Sequence, residues 1–565
     1  MHTLTVPTDE SVAAAQIMAG SVTIGHYGTM TLAANPTWKT QSTLDLAGNR
    51  YVHSLNWALP LLREGTRNTP TAAAYTARFV YLLKDWVKDH PVASRTALMN
   101  QPQYGGFRLG TWVCAHRLLT DPAQKAWVAT QAKVDLAVQL KAFTLTGANN
   151  TMMNSQLAAY AAAEEVGTAK QRSTALANIN ALRPVLINAD GSDKEGAPAY
   201  GGYYTQILVR TERVLSAYKA AAAAAAVRAD IAAQGSFQAQ ATRPDRKFES
   251  IGDSPLSKIT AGVFPGTSDA TWVRTSGAKG TVPASTYSRW TGGYVFGRSG
   301  WVAGVDETSS FYSLRTSTQA LAAPHRHVDT TGVTFFSHGV SWIGDPGPYQ
   351  YDSSALRAFI GTRDAHSALI PPSTVTGATK AVLLSAKPSA AADKTCVRDL
   401  TYQKSSGIVL TRCVYYLRTI DALVVQDVVT SPTTATTIKQ QWLLPPQVNS
   451  AVAEASGGAL LTGTTAAGTS ESARLLTDST VGATSITPAG AVLGQFGTTY
   501  GVHTPGQVVS LSIPVPAGTT QTALTVIAAG TDPLSIQHET PATVGAVAPL
   551  TVSVGTRTQT FKPAF

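Results

Sequence analysis

Two hydrophobic periods divide this chain. Up to about residue 245, apolar residues recur at three- and four-residue intervals. In NTPTAAAYTARFVYLLKDWVKD the residues Tyr75, Phe79, Leu82, Leu83, Trp86 and Val87 form one stripe, with Thr69 expected to cap the helix and Pro70 to open it. DPAQKAWVATQAKVDLAVQLKAF repeats the device with Asp121, Pro122 and a stripe through Trp127, Val134 and Val138. Ala220 to Ala226 has the strongest helix propensity in the chain, and its face of methyl groups permits close packing. Successive helices with short connectors predict stacked antiparallel hairpins, as an open bundle or a ring.

From about residue 285 the period becomes two. YVFGRSGW, FYSLRTS, VTFFSHGVSW, GIVLTRCVYYL, VVSLSIPVP and LTVSVG are short runs of β-branched and aromatic residues separated by Gly, Pro, Ser and Thr. They predict a large antiparallel sandwich, so the class is α+β and multidomain. The join falls near RPDRKFESIGDSPLSKITAG. The expected division is a helical domain over 1–250, a linker and sandwich start over 251–284, and the sandwich proper over 285–565. The Ala-, Gly-, Thr- and Ser-rich stretch from about Ala451 to Gly490 reads as sandwich loops.

Composition narrows the partners. With 565 residues, 44% apolar and 14% charged, the chain can bury substantial cores and is not extensively disordered. No apolar run approaches the roughly 20 residues that span a bilayer, so no membrane partner is expected. The N-terminus lacks the basic start and apolar stretch of a signal peptide. The expected location is secreted or periplasmic with a leader removed, the cytoplasm being the alternative. Lys plus Arg exceed Asp plus Glu by 44 to 34, a formal charge of +10. That balance favours an anionic partner, or serves solubility alone. Nucleic acid is not expected, because the basic residues are scattered and neither zinc-finger spacing nor an RNA-binding aromatic motif is present. An acidic polysaccharide suits such a diffuse field.

Cys114 falls in a helical pattern and reads as a buried thiol. Cys396 and Cys413 flank two β-like arms that can fold about Lys404 to Gly407, which leaves a disulfide open and would then require an oxidising compartment. In HRHVD, strand alternation would project His325, His327 and Asp329 to one side. Trp342, Tyr349 and Tyr351 can stack on sugar rings or serve as core, and His338 reads as a turn residue.

Five segments carry a resemblance. IGDS from Ile251, HRHVDTTGVTFFSHGVSWIGDPGPYQYD from His325, and GTRDAHSAL from Gly361 are joined in the helical half by GANNTMMN from Gly147 and DGSDKEGAPAYGGYY from Asp190. Together they resemble the heparinase II/III-like polysaccharide lyases, including their alginate-lyase relatives. The resemblance implies an incomplete (α/α) toroid followed by an antiparallel β-sandwich, with the active site in a cleft between them. Two positions depart from the family: Thr151 follows Asn150 and Gly201 follows Tyr200, where relatives often have His.

The implied reaction is β-elimination on a uronate-containing polymer. The proton beside the carboxyl group leaves C5, and the oxygen leaves C4. By the resemblance, Asn150, with Asn149 beside it, neutralises the carboxylate, although paired asparagines also cap helices. Tyr200 is base and then acid. His325 is a second base or neutralises the carboxylate. His327, Asp345 and His366 form a metal triad suited to structural Zn²⁺, the alternative being a dry hydrogen-bonded cluster. Asp329 orients an imidazole, and Arg357, Arg363 and Tyr351 hold substrate. Two other functions stay open: a glycoside hydrolase using two of Asp190, Asp193 and Glu195, and a carbohydrate-binding protein with a degenerate site.

Overall fold

The computed structural model describes residues 10–24, 27–44, 46–259, 267–304, 306–316, 325–350, 352–372, 378–430, 434–454, 457–478, 484–540 and 547–565, so the candidate sugar contact Tyr351 lies outside the described residues. The chain divides into two compact units, Met1–Leu186 with Gln206–Ala229 and Ile187–Thr205 with Asp230–Phe565. Ile187–Thr205, expected in the helical domain, thus belongs to the sandwich unit.

In the helical unit Ala72–Asp89 buries Phe79, Val80, Leu82, Leu83 and Trp86. Its N-cap is Thr71, not Thr69, because Thr69 is used in the preceding turn, where its carbonyl accepts from the Ala72 N–H at 3.1 Å. Pro122–Lys141 starts as expected: the Asp121 carboxylate accepts from the Gln124 N–H at 2.7 Å, and Pro122 opens the helix. Its buried face is different. Val128, Ala132, Asp135, Leu136 and Gln139 face inward, while Trp127, Val134 and Val138 are half-buried. The cause is electrostatic. Asp135 accepts from Arg95 at 2.8 Å, from Arg108 at 2.8 and 3.1 Å, and from the Trp112 indole at 2.7 Å. Burial alone would raise its pKa, but the two guanidinium groups outweigh that and hold it below the ordinary value. Pro102–Leu118 and Asn150–Val166 approach closely at Gly106, where a Cβ would lie 2.8 Å from the Ser155 Cα. Ala221–Gln240 carries the alanine run. Among the described residues no helix is long and apolar enough to cross a membrane.

The sandwich unit is built of antiparallel sheets. An eight-stranded sheet has the order Val448–Glu454, Gly458–Thr464, Ser470–Thr477, Thr520–Ala529, Ala422–Thr430, Val409–Leu417, Ala392–Asp399, Ala381–Pro388. A four-stranded sheet runs Thr484–Pro488, Gln507–Val515, Thr436–Leu444, Leu369–Ile370. A five-stranded sheet takes Tyr287–Trp290, Tyr294–Arg298, Phe311–Arg315, Val333–Ser337 and Val340–Ile343 in chain order. One apolar core joins the three through Leu314, Phe335 and Trp342, through Val414 and Val425, and through Trp442 and Leu511. Trp342 is therefore core.

The stretch expected as loops after Ala451 instead forms strands. Their inward positions include Ala459, Leu461, Ala473 and Leu475, and the small alanines weaken the apolar alternation that marks a strand. Cys396 sits opposite Cys413 on paired strands, and the two form a disulfide. Cys114 is a part-buried thiol outside the disulfide, and burial pushes its pKa up to about 11.

Candidate active site

The loop before Tyr200 is fastened to the strand pair Tyr287–Trp290 and Tyr294–Arg298 by two aspartates. Asp190 accepts from the Thr291 N–H at 2.5 Å and from the Ser192 hydroxyl at 2.7 Å, while that hydroxyl accepts from the Gly292 N–H at 2.9 Å. Burial would raise the Asp190 pKa, but these donors hold it below the ordinary value. Asp193, 1% exposed, accepts from the N–H groups of Gly196 at 2.7 Å and Ala197 at 3.1 Å, and from the Tyr294 hydroxyl at 2.7 Å. Both carboxylates are thus spent on the chain itself. That removes them as the acid and base of a glycoside hydrolase.

Tyr200 follows in the first turn of Pro198–Ala217 and stacks on His325, with ring centroids 3.7 Å apart and planes inclined at 19°. His325 lies between two carboxylates: its Nδ1 is 3.3 Å from Asp253 Oδ2 and its Nε2 is 3.5 Å from Glu195 Oε2. Glu195 also accepts from the Tyr204 hydroxyl. Burial raises the Glu195 pKa, partly offset by Tyr204 and His325, and burial with the adjacent carboxylate raises that of Tyr204. A phenol, an imidazole and two carboxylates in contact can accept, hold and return a proton.

Asp253 is fully buried and gathers the site. Arg357 donates to both of its oxygens, at 2.6 and 3.1 Å, and His327 Nε2 is 3.1 Å from Oδ1. Burial would raise its pKa, but His325, His327 and Arg357 hold it well below the usual carboxylate range. It comes from the IGDS segment, where Gly252 has φ +56 and a Cβ would lie 2.5 Å from the Gly196 carbonyl and 2.7 Å from that of His325. In the sequence this segment reads as a connector and Asp253 is not legible as a site residue, since a lone Asp after Gly in a polar stretch has the signature of a turn. Glu195 reads from the sequence only as a hydrolase carboxylate.

His327, Asp345 and His366 are buried, with one donor atom from each lying within 4.8 Å of the others. His366 Nδ1 is 2.8 Å from Asp345 Oδ2. His327 Nδ1 and His366 Nε2 are buried with no hydrogen-bond partner among the described residues. Two imidazole nitrogens left unpaired beside a carboxylate fit a metal ion better than a dry cluster, which would pair them.

The remaining candidates are placed as follows. Arg357 is 18% exposed at its side chain and bonded to Asp253 rather than turned wholly to solvent. Arg363 corrects the expectation of a substrate clamp. Its side chain is 5% exposed, pairs with Asp399 and donates to the carbonyls of Leu369 at 3.0 Å and Thr330 at 3.2 Å, so its charge is consumed in the core. Asp329 accepts from Arg315 at 3.0 Å, where an imidazole had been expected. Tyr349 packs edge-on against His503 with centroids 5.5 Å apart. In the helical unit, Asn149 is the N-cap of Asn150–Val166, accepting from the Thr151 N–H at 3.0 Å and its hydroxyl at 2.8 Å. Asn150, half-buried, is the first residue of that helix.

Residues 291–526 match the family described as heparinase II/III-like, C-terminal. No curated protein sequence matches the chain. Among solved structures, the heparan sulfate lyase HepC from Pedobacter heparinus is similar with a TM-score of 0.78 at 16% identity, over 100% of this chain and 90% of that one. A crystal structure of heparinase III gives 0.74 at 15% identity over 99% and 91%. A mutant chondroitin AC lyase from Streptomyces coelicolor A3 gives 0.55 at 10% identity over 98% and 84%. The family match is thus confined to residues 291–526, while along its length the chain has the toroid-and-sandwich fold of these solved structures.

Proposed function

We propose that this protein is a polysaccharide lyase that cleaves a uronate-containing anionic polysaccharide by β-elimination. The observation that carries the reading is the contact of Tyr200 with His325, the latter flanked by Asp253 and Glu195. Tyr200 acts as the phenolate that removes the C5 proton. The electron pair moves into the carboxyl-stabilised anion and then expels the C4 oxygen, which the same phenol protonates. An unperturbed phenol titrates near 10, so it needs a neighbour able to carry positive charge, and the stacked imidazole of His325 fills that need. Asn150 supplies amide hydrogens to the substrate carboxylate as charge builds on it. Arg357, tied to Asp253, extends the positive edge of the site toward a neighbouring uronate.

The cluster of His327, Asp345 and His366 suits Zn²⁺, held by two imidazoles and a carboxylate. A bound ion would supply a fixed cross-link between the segments that carry the three residues. The net positive charge of +10 and the neighbours named as heparan sulfate and chondroitin lyases support an acidic polymer as substrate. A location outside the cytoplasm is supported by the Cys396–Cys413 disulfide.

The test is a panel of alginate, glucuronan, hyaluronan, heparan sulfate and chondroitin followed by ultraviolet absorbance. At least one polymer should give a product absorbing through a new C4 to C5 double bond, and its carboxyl-reduced form should be inert. New reducing ends without absorbance would reject elimination.

A further inference from the structure

We infer that Asp253 is a positioning residue that joins the His327, Asp345 and His366 cluster to His325, so that one buried carboxylate fixes the orientation and tautomer of both histidines. The inference rests on the roles proposed for His325 and the cluster, and adds a physical link between them.

The geometry assigns each oxygen its own imidazole. Oδ2 faces His325 Nδ1 at 3.3 Å, and Oδ1 faces His327 Nε2 at 3.1 Å. Arg357 bridges the two oxygens. A carboxylate clamped this way only accepts, so both imidazoles donate to it. Donation from His327 Nε2–H leaves the lone pair on Nδ1, the buried atom with no hydrogen-bond partner among the described residues. Donation from His325 Nδ1–H leaves Nε2 on the side of Glu195, while Tyr200 stacks on the face of the ring. The ring nitrogen that faces a ligand is set by the bond the other nitrogen makes. Here one side chain makes that bond for two histidines.

Asp253 has little freedom to shift for one partner alone. Its N–H donates to the His325 carbonyl at 3.0 Å, and Gly252 threads a gap where a Cβ would lie 2.5 Å from the Gly196 carbonyl. A change at His327 is therefore passed to His325 through a rigid carboxylate, which gives a metal cluster influence over turnover without touching substrate.

The deciding variant is Asp253→Asn in the full-length protein. An amide offers one accepting oxygen and one donating nitrogen, so it can satisfy only one of the two imidazoles as they stand. Zinc affinity, measured against a competing chelator, should fall at least ~10-fold, the low end for losing an outer-shell partner. The His325 ring-nitrogen signals in ¹⁵N-histidine-labelled protein should move in the same variant. On the wild-type's best polymer, kcat should fall with KM nearly unchanged. Should Asp253→Asn not fold, Arg357→Gln, which loosens the clamp from a partly exposed position, should shift zinc affinity and the His325 signals together by smaller amounts. A folded variant in which either readout stays at the wild-type value overturns the link. If the wild-type makes no unsaturated product from any polymer, the lyase reading fails instead, and the zinc and ¹⁵N readouts still decide the role of Asp253.

Discussion

Replacing Asp193 with alanine should loosen the loop that carries Tyr200 without touching Tyr200 itself. The carboxylate accepts from the N–H groups of Gly196 and Ala197 and from the hydroxyl of Tyr294. Tyr294 is completely buried, and burial with the adjacent carboxylate keeps its phenol protonated, so the hydroxyl remains a donor. Alanine leaves three donors unpaired at about 1–3 kcal/mol each, or about 3–9 kcal/mol when water does not enter the gap. Asp193→Asn keeps an oxygen for the two N–H groups and disturbs only Tyr294, which should cost about 1–2 kcal/mol. Urea unfolding, read on the transition of the sandwich unit, measures both. A displacement of about 1 Å at a reacting group can lower turnover by ~10²-fold, so kcat should follow the same order, alanine far below asparagine. An alanine variant within about 1 kcal/mol of wild type, with normal kcat, would refute the view that this aspartate anchors the loop.

Other measurements reach different parts of the account. Asp135→Ala leaves Arg95 and Arg108 buried without their carboxylate and should destabilise the helical unit by about 3–5 kcal/mol. Because the folded pKa of Asp135 is depressed, its contribution is fully present above the ordinary carboxylate value and is lost as pH falls through the folded one. An acid titration of helical signal should show that loss in wild type and not in Asp135→Asn. Reducing Cys396–Cys413, which closes a loop of sequence separation 17, should cost about 3 kcal/mol in chemical denaturation. Unchanged stability would mean the paired strands hold that register unaided. His327→Ala should lower bound zinc from about one per chain and lower Tm, and metal-free wild type of full stability would contradict the cluster's assignment.

The two halves of the fold were legible because the hydrophobic period changes from helical to alternating, and because Asp121 and Pro122 mark a helix start by their own chemistry. What escaped was set by tertiary partners. Asp135 turned its helix about because Arg95 and Arg108 arrive from elsewhere in the chain, which no local period records. The strands after Ala451 were hidden by inward alanines. Arg363 had the right spacing for a substrate clamp but met Asp399 in the core. The cluster of His327, Asp345 and His366 was foreseen through the family resemblance, whereas Asp253 emerged only when the folded chain brought IGDS against HRHVD.

The central claim is that the phenol of Tyr200 moves the proton. Tyr200→Phe keeps the ring that stacks on His325 and removes one hydroxyl, so folding and polymer binding should survive. The rate of unsaturated product formation, followed by ultraviolet absorbance on the wild-type's best polymer, should fall at least ~10²-fold. A Tyr200→Phe protein that forms the unsaturated product at nearly the wild-type rate would contradict the account.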